Sequence, residues 1–339
     1  MAAGRGGRRA RGQPAAAGPG AGESGAGESG AGESGHAPVL LEEVLAALAV
    51  EPDGRYVDAT YGRGGHARAL LARLGPAGTL LLVDRDPQAV HSATQEFGAD
   101  PRVHIAHATF DRIPELLGMN EAHGILFDLG VSSPQLDDAA RGFSFLRDGP
   151  LDMRMDPGCG PSAADFLASA GEQEIAAVIA EYGEDRYARR IARALATARA
   201  ASPLTTTGQL ASVVAAAIPA RAREPGKHPA TRTFQALRIH VNRELELLDA
   251  ALAGALESLR GGGRLVVISF HSLEDRRVKR FMRQHAAGDP MWRGLPGAPP
   301  AAQPRLALIG GRQHASAAEV ARNPRARSAV LRVAEKVAA

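Results

Sequence analysis

Cysteine is almost absent from this chain: Cys159 is the only one in 339 residues. A lone thiol can neither close an intramolecular disulfide nor build a multi-cysteine metal site, and such usage fits a reducing compartment, so a cytoplasmic protein is expected. No other group of residues shows metal-ligand spacing, and no metal is expected. Aromatic residues are scarce, at 4%, while Ala and Gly are abundant. No apolar run approaches the ~20 residues of a membrane span, so membrane insertion is not expected. Charge of one sign is missing as well: 40 Lys and Arg stand against 37 Asp and Glu, a net charge of +3. Any nucleic-acid partner must therefore be met by local basic patches. What remains is ordinary for a soluble globular protein, with 45% hydrophobic and 23% charged residues and enough length for one large domain or two smaller ones.

The first 35 residues differ in kind. Arg5, Arg8, Arg9 and Arg11 lie among Gly, Ala and Pro, and Gly-Glu-Ser-Gly-Ala repeats fill residues 22–35. Such a segment cannot bury enough apolar surface to fold and reads as a disordered tail. A transit peptide is the competing reading of the arginines, but the glycines and prolines weaken an amphipathic helix and an acidic repeat follows. Deleting the tail is expected to leave activity intact.

The most informative stretch is Tyr56-Val57-Asp58-Ala59-Thr60-Tyr61-Gly62-Arg63-Gly64-Gly65-His66. An apolar run ends in an acid and opens into a glycine-rich turn. A helical segment follows (67–74), then a second apolar run, Thr79 to Val83, closed by Asp84. A carboxylate about 20 residues beyond such a turn is where α/β folds bind a ribose hydroxyl pair. The dinucleotide spacing G-x-G-x-x-G is not met; the pattern is G-x-G-G, with Asp58 four residues before the first glycine. An acid there would repel a pyrophosphate and suits a ligand with an ammonium group. S-adenosylmethionine (SAM), with an ammonium, a sulfonium and a ribose but no phosphate, meets that description. The bland alternative is a tight turn whose glycines serve only φ > 0.

Further strands are expected at 103–106, at 124–130 and at 264–269, the last introduced by Gly261-Gly262-Gly263. A final strand, antiparallel, is expected at 329–333. Strands alternating with helices indicate a parallel, doubly wound sheet. Residues 131–263 are far too many for one crossover. Helical spacing at Ile175/Val178/Ile179/Tyr182, at Tyr187/Ile191/Leu195 and at Leu210/Val213/Val214/Ile218 makes them a helical domain inserted into the sheet. One helix, Val241 through Leu259, returns the chain to the sheet, and 286–304 reads as a surface loop. The expected organisation is a tail (1–35), a discontinuous sheet domain (36–133 and 240–339) and a helical substrate-recognition insert (134–239).

Ligands of open α/β sheets bind beyond the carboxyl ends of the strands. Asp128-Leu129-Gly130-Val131-Ser132-Ser133-Pro134-Gln135 therefore faces the same crevice as Gly64 and Asp84. Methylation of an exocyclic amine needs an acceptor there, to draw an N–H bond aside and expose the nitrogen lone pair. Asp128, Ser132 or a nearby carbonyl could serve; alternatively Asp128 caps a turn and the serines satisfy local backbone. Methylation at a pyrimidine ring carbon would need a cysteine nucleophile, and Cys159, flanked by Gly158 and Gly160 in an expected loop, is a poor candidate. His271 either orients a base, contacts phosphate or bonds to backbone. Three basic sets stand near the crevice mouth: Arg186/Arg189/Arg190/Arg193, Arg221/Arg223/Lys227/His228/Arg232/Arg238 and Arg276/Arg277/Lys279/Arg280/Arg283. Together they favour a polyanionic substrate.

Several motifs, in this order, closely resemble the RsmH (MraW) family: His36-Ala-Pro-Val-Leu-Leu-Glu-Glu, Gly62-Arg-Gly-Gly-His66, Asp84-Arg-Asp-Pro-Gln, Asp128-Leu-Gly-Val-Ser-Ser-Pro-Gln-Leu-Asp, Arg141-Gly-Phe-Ser-Phe, Gly149-Pro-Leu-Asp-Met-Arg-Met-Asp156, Lys227 through Arg238, Ser269-Phe-His-Ser-Leu-Glu-Asp-Arg276 and Asn323-Pro-Arg-Ala-Arg-Ser328. The resemblance covers essentially all of 36–336. It implies an α/β, Rossmann-like class I SAM-dependent methyltransferase sheet with an inserted helical domain. It also implies transfer of a methyl group to the N4 amine of a cytidine in the decoding region of small-subunit (16S) ribosomal RNA, within the assembled small subunit. By matching motifs, SAM would contact Gly64, Gly65 and His66, with Asp84 on the ribose, Phe110 and Asp128 by the adenine, and Gln135 completing the pocket. The family offers no settled catalytic base, so Asp128 as amine acceptor is an expectation from chemistry. A homodimer is left open. The competing readings are a DNA or protein methyltransferase on the same fold, a ribosome-assembly factor that keeps SAM only as a structural ligand, and, more remotely, an NAD-dependent enzyme.

Overall fold

Alternating side chains build a sheet with two buried faces. In strand β2 (Thr79–Asp84), Leu80 and Leu82 point into one core and Leu81 and Val83 into the other, the two-residue period of a strand covered on both sides. The same division holds in β4 (Ala122–Asp128) for Leu126 against Ile125 and Phe127, and in β5 (Leu259–Ser269) for Val266 and Ile268 against Leu265 and Val267. The structure, a computed structural model, describes residues 38–292, 297, 299 and 302–338. The expected tail, 1–35, lies outside the described residues, as does part of the expected loop at 286–304.

The remaining strands are β1 (Arg55–Asp58), β3 (Val103–His107), β6 (Leu306–Leu308), β7 (Gln313–His314) and β8 (Val330–Lys336). The sheet order is β3-β2-β1-β4-β5-β8-β6, with β7 also on β8. The first five strands are parallel and β8 runs antiparallel to β5. Helices α1 (Leu41–Leu48), α2 (Gly65–Leu71) and α3 (Pro87–Phe97) cover one face. The short α4 (Ile113–Leu117) leads into β4, and α5 (Ser133–Asp137) follows it. Between β4 and β5 come α6 (Ala163–Ser169), α7 (Glu172–Gly183), α8 (Ala188–Ala201), α9 (Thr207–Ala217) and α10 (Thr231–Asn242). Their apolar stripes close on one another, with Ile175, Ile179, Ile191, Leu195, Leu210 and Val214 in one core. Helices α11 (Glu244–Ser258) and α12 (Ser272–Ala287) cover the second sheet face, and α13 (Ala317–Arg322) precedes β8. Among the described residues no helix is long and apolar enough to cross a membrane.

Three expectations need correction. The single helix expected from Val241 to Leu259 is two helices, because Arg243 adopts a left-handed conformation (φ 50°, ψ 34°) that ends α10 and starts α11. Side-chain spacing continues across the break, so apolar periodicity does not reveal it. The glycines at 261–263 belong to β5 instead of preceding it: a Cβ on Gly263 would lie 2.7 Å from the carbonyl oxygen of Ala122, so the strands approach there only without a side chain. The fourth strand ends at Asp128, not Gly130. Strands β6 and β7 and helix α13 carry too few residues to give a periodic signal.

Candidate active site

Because β1 to β5 are parallel, their carboxyl ends share one edge, and three of them end in acids: Asp58 on β1, Asp84 on β2 and Asp128 on β4. Strand order reverses between β1 and β4, where α/β sheets open a crevice. The glycine turn lies at this point. Asp84 Oδ2 accepts from the Gly62 N–H (2.8 Å) and Oδ1 from the Asp86 N–H (2.8 Å), so one carboxylate ties the turn to the end of β2. Gly64, left-handed at φ 71°, is the N-cap of α2, and its N–H donates to the Tyr61 carbonyl. A Cβ on Gly64 would lie 2.7 Å from the Tyr61 ring, and one on Gly65 would lie 2.9 Å from Pro38. The turn is thus a close-packed platform that only glycine can form.

The electrostatics of the crevice are those of acids without counter-ions. Asp58 is buried, accepts one N–H from Thr60 at 3.2 Å, and is pushed up to about 7, mainly by burial and further by Asp84. Asp84 is raised to about 6, again chiefly by burial. Asp128 lies well above the usual carboxylate range, through burial and then the charges of Asp58 and Glu274. Its N–H donates to Thr60 Oγ1 (2.7 Å), and its Oδ2 is 3.6 Å from His66 Nδ1. Its Oδ1 is buried and has no hydrogen-bond partner. His66 does not compensate: burial lowers it to about 4, so the ring is neutral near pH 7, and its Nε2 bonds to the Val39 carbonyl (3.0 Å). Such a site favours a cationic ligand, since an opposite charge restores the ionised carboxylates. The ammonium and sulfonium of SAM fit it, and Asp84 has lone pairs left for ribose hydroxyls.

The other expected site residues divide. Phe110, just past β3, packs edge-to-face on Phe127 of β4 (centroids 5.8 Å, 81°), which leaves it half-buried beside the crevice edge. Gln135 is buried and both ends of its amide are engaged: Oε1 accepts the Ser132 N–H (2.9 Å) and Nε2 donates to Asp86 Oδ2 (2.8 Å). Gln135 thus shapes the pocket wall through α5. Asp86 itself caps α3 and forms a buried ion pair with Arg141 Nη1 at 2.8 Å. Arg141 Nη2 in turn donates to the carbonyls of Met155 (2.8 Å) and Arg154 (3.2 Å), beyond β4. Asp86 and Arg141 lie within separate motifs, and nothing in residue spacing marks them as a pair.

Two further residues take structural roles. His271 takes the backbone-bonding alternative: it caps α12, its Nδ1 accepting the Glu274 N–H (3.5 Å), with Nε2 3.1 Å from Glu274 Oε1. Arg238 is not part of a solvated basic face; it pairs with Glu244 through two 2.8 Å hydrogen bonds. Donor atoms of Glu244, His271 and Glu274 all lie within 4.8 Å of one another. Arg238 already holds both Glu244 oxygens, and the Phe270 and His271 N–H groups hold Glu274 Oε2, so the cluster works as an ion-pair network behind Asp128. Only folding brings these residues together from α10, α11 and α12. Cys159 is exposed in a turn following Asp156.

A family model described as the MraW methylase family matches residues 33–337. The chain is 59% identical over 309 residues to the ribosomal RNA small subunit methyltransferase H of Thiobacillus denitrificans, covering 89% of this chain and 97% of that protein. It is 56% identical over 308 residues to the same-named protein of Chromohalobacter salexigens, covering 89% and 92%. Among solved structures, a rRNA methylase from Streptococcus thermophilus aligns over 87% of this chain and 95% of that one, at 10% identity and a TM-score of 0.41. With a family match over nearly the whole folded length and relatives this similar, the chain belongs to the MraW methylase family.

Proposed function

We propose that this protein transfers a methyl group from SAM to the N4 amine of a cytidine in the decoding region of small-subunit rRNA, acting in the cytoplasm on the assembled small subunit. The coarser part, SAM-dependent methylation of small-subunit rRNA, follows from family membership and the names of the relatives. The observation that supports an amine as the methyl acceptor is Asp128 at the carboxyl end of β4, a carboxyl 26% exposed beside the glycine turn and without a cationic partner.

SAM supplies the methyl group and its cationic sulfonium. Asp58 and Asp84 hold the cationic and ribose ends, and Gly64–Gly65 let the ligand approach backbone. Beside that positive charge the Asp128 carboxyl ionises, and the carboxylate becomes an acceptor for one N4–H of the cytosine. Accepting it turns the amine so that its lone pair leaves conjugation with the ring and faces the methyl carbon. With SAM bound, the N–C bond would form as the C–S bond of the donor breaks, and Asp128 would take the surplus N4 proton. Most of the acceleration comes from positioning, which suits a site without a covalent nucleophile.

The test is transfer of labelled methyl from SAM to unmethylated small subunits, with naked rRNA and DNA alongside, followed by nucleoside analysis. N4-methylcytidine on the subunits is the expected product; label on another nucleoside or only on DNA overturns the assignment. Asp128→Ala is expected to lower kcat by about 10²–10⁴-fold. Near-normal turnover would remove Asp128 from the mechanism.

A further inference from the structure

The structure sorts the arginines and lysines into two kinds. Along α12, Arg276 pairs with Glu184 and Arg277 with Asp249. On the helical insert, a cavity near Arg186, Lys227 and Arg232 is charge-compensated, because Glu224 pairs with both Lys227 and Arg232. A second cavity, of about 310 Å³, lies between α12 and the segment joining β6 to β7, and is lined by Lys279, Arg283, Arg312, Arg332 and the Gly310–Gly311 backbone. Arg332 is engaged by both oxygens of Asp275 (2.6 and 3.0 Å). Lys279, Arg283 and Arg312 take part in no ion pair among the described residues.

The sequence makes this cluster deliberate in chemical terms. After Asp275, α12 contains no carboxylate, and its one nearby acid is already neutralised by Arg332. Lys279 and Arg283 are four residues apart and share a helix face. Like charges at that spacing repel one another, a cost that an anion between them removes. Across the cavity, Gly310 (φ +65°) and Gly311 would meet nothing within 4 Å if either carried a Cβ, so a ligand has free access to the backbone beside Arg312. Three uncompensated cations around a small, open cavity suit a phosphate group.

We propose that this pocket binds a backbone phosphate of the substrate RNA a few nucleotides from the cytidine being methylated. The placement follows from α12, whose first turn adjoins the end of β5 at the crevice. Lys279 and Arg283 lie seven and eleven residues beyond Ser272, roughly 10 and 16 Å along the axis at 1.5 Å per residue. A strand leaving the crevice along α12 therefore reaches the pocket, which acts as a second anchor setting the register of the RNA. This assignment rests on the proposed rRNA substrate.

The test compares the wild type with the triple variant Lys279→Ala/Arg283→Ala/Arg312→Ala and the charge-keeping Lys279→Arg/Arg283→Lys/Arg312→Lys. Three readouts are taken: kcat and KM on unmethylated small subunits, affinity for a fluorescent single-stranded RNA across a salt series, and affinity for SAM. The neutral variant is expected to raise KM for subunits about tenfold or more and to reduce the salt slope of RNA binding by about 1. Its kcat and SAM affinity stay at wild-type levels, and the charge-keeping variant recovers most of the affinity. Wild-type KM and salt slope in the neutral variant overturn the pocket while the methylation reading stands. A wild type that binds RNA in a pocket-dependent way but forms no N4-methylcytidine overturns the methylation reading while the pocket stands. A wild type that does not bind RNA overturns the pocket.

Discussion

Asp58 shows how much a single buried acid can determine. Its folded-state value of about 7 lies above the ordinary 3.8, so the protonated form is favoured in the ligand-free protein. The stability it contributes is present below about pH 4 and is lost as pH rises through about 7. His66, lowered to about 4, has the opposite sign: its contribution is present above about 6.5 and is lost as pH falls toward 4. A cationic ligand needs Asp58 ionised. SAM affinity is therefore expected to rise roughly tenfold or more between about pH 5.5 and 7.5. In Asp58→Asn the profile should flatten and the affinity should stay low throughout, as titration calorimetry across that range would show. A variant with a wild-type profile would place the titrating group elsewhere, with Asp84, at about 6, the next to replace.

At the level of elements, the glycine turn before α2 separates two kinds of requirement. Gly62 and Gly64 are both left-handed, at φ +57° and +71°. A Cβ on Gly62 would have its nearest neighbour at 3.8 Å, whereas on Gly64 it would overlap the Tyr61 ring at 2.7 Å. Gly62→Ala should thus cost about 1–2 kcal/mol, the backbone penalty alone. Gly64→Ala should cost more, because Tyr61 must also move, and should lower SAM affinity by displacing the platform. Chemical denaturation and SAM binding of both variants would test this; equal losses would show that Tyr61 yields freely. The turn was legible in the sequence because a strand, an acid and clustered glycines are contiguous there. The break at Arg243 was not, since neighbouring apolar residues keep helical spacing on both sides of it.

For the molecule as a whole, the Asp86–Arg141 pair joins the end of β2 to the segment beyond β4. Removing one partner leaves a buried charge unpaired, so Arg141→Ala is expected to destabilise the protein by about 3–5 kcal/mol. Gln135, which shares Asp86, should lose its position, and SAM affinity should fall with it. Replacing both partners with apolar side chains should recover much of the stability but not the SAM affinity. Thermal unfolding and SAM binding of the single and double variants separate these effects; a double variant as unstable as the single one would contradict the argument. Sheet strands, the helical insert and the glycine platform could be read from residue order, because periodicity, turn residues and motif spacing are local properties of the chain. Which acids lack counter-ions, which arginines are structural and which cations remain free could not. Charge compensation depends on groups far apart in the chain, such as Arg325 with Asp137, 188 residues away, or Arg332 with Asp275, 57 residues away at the start of α12, and only the packed fold sets those distances.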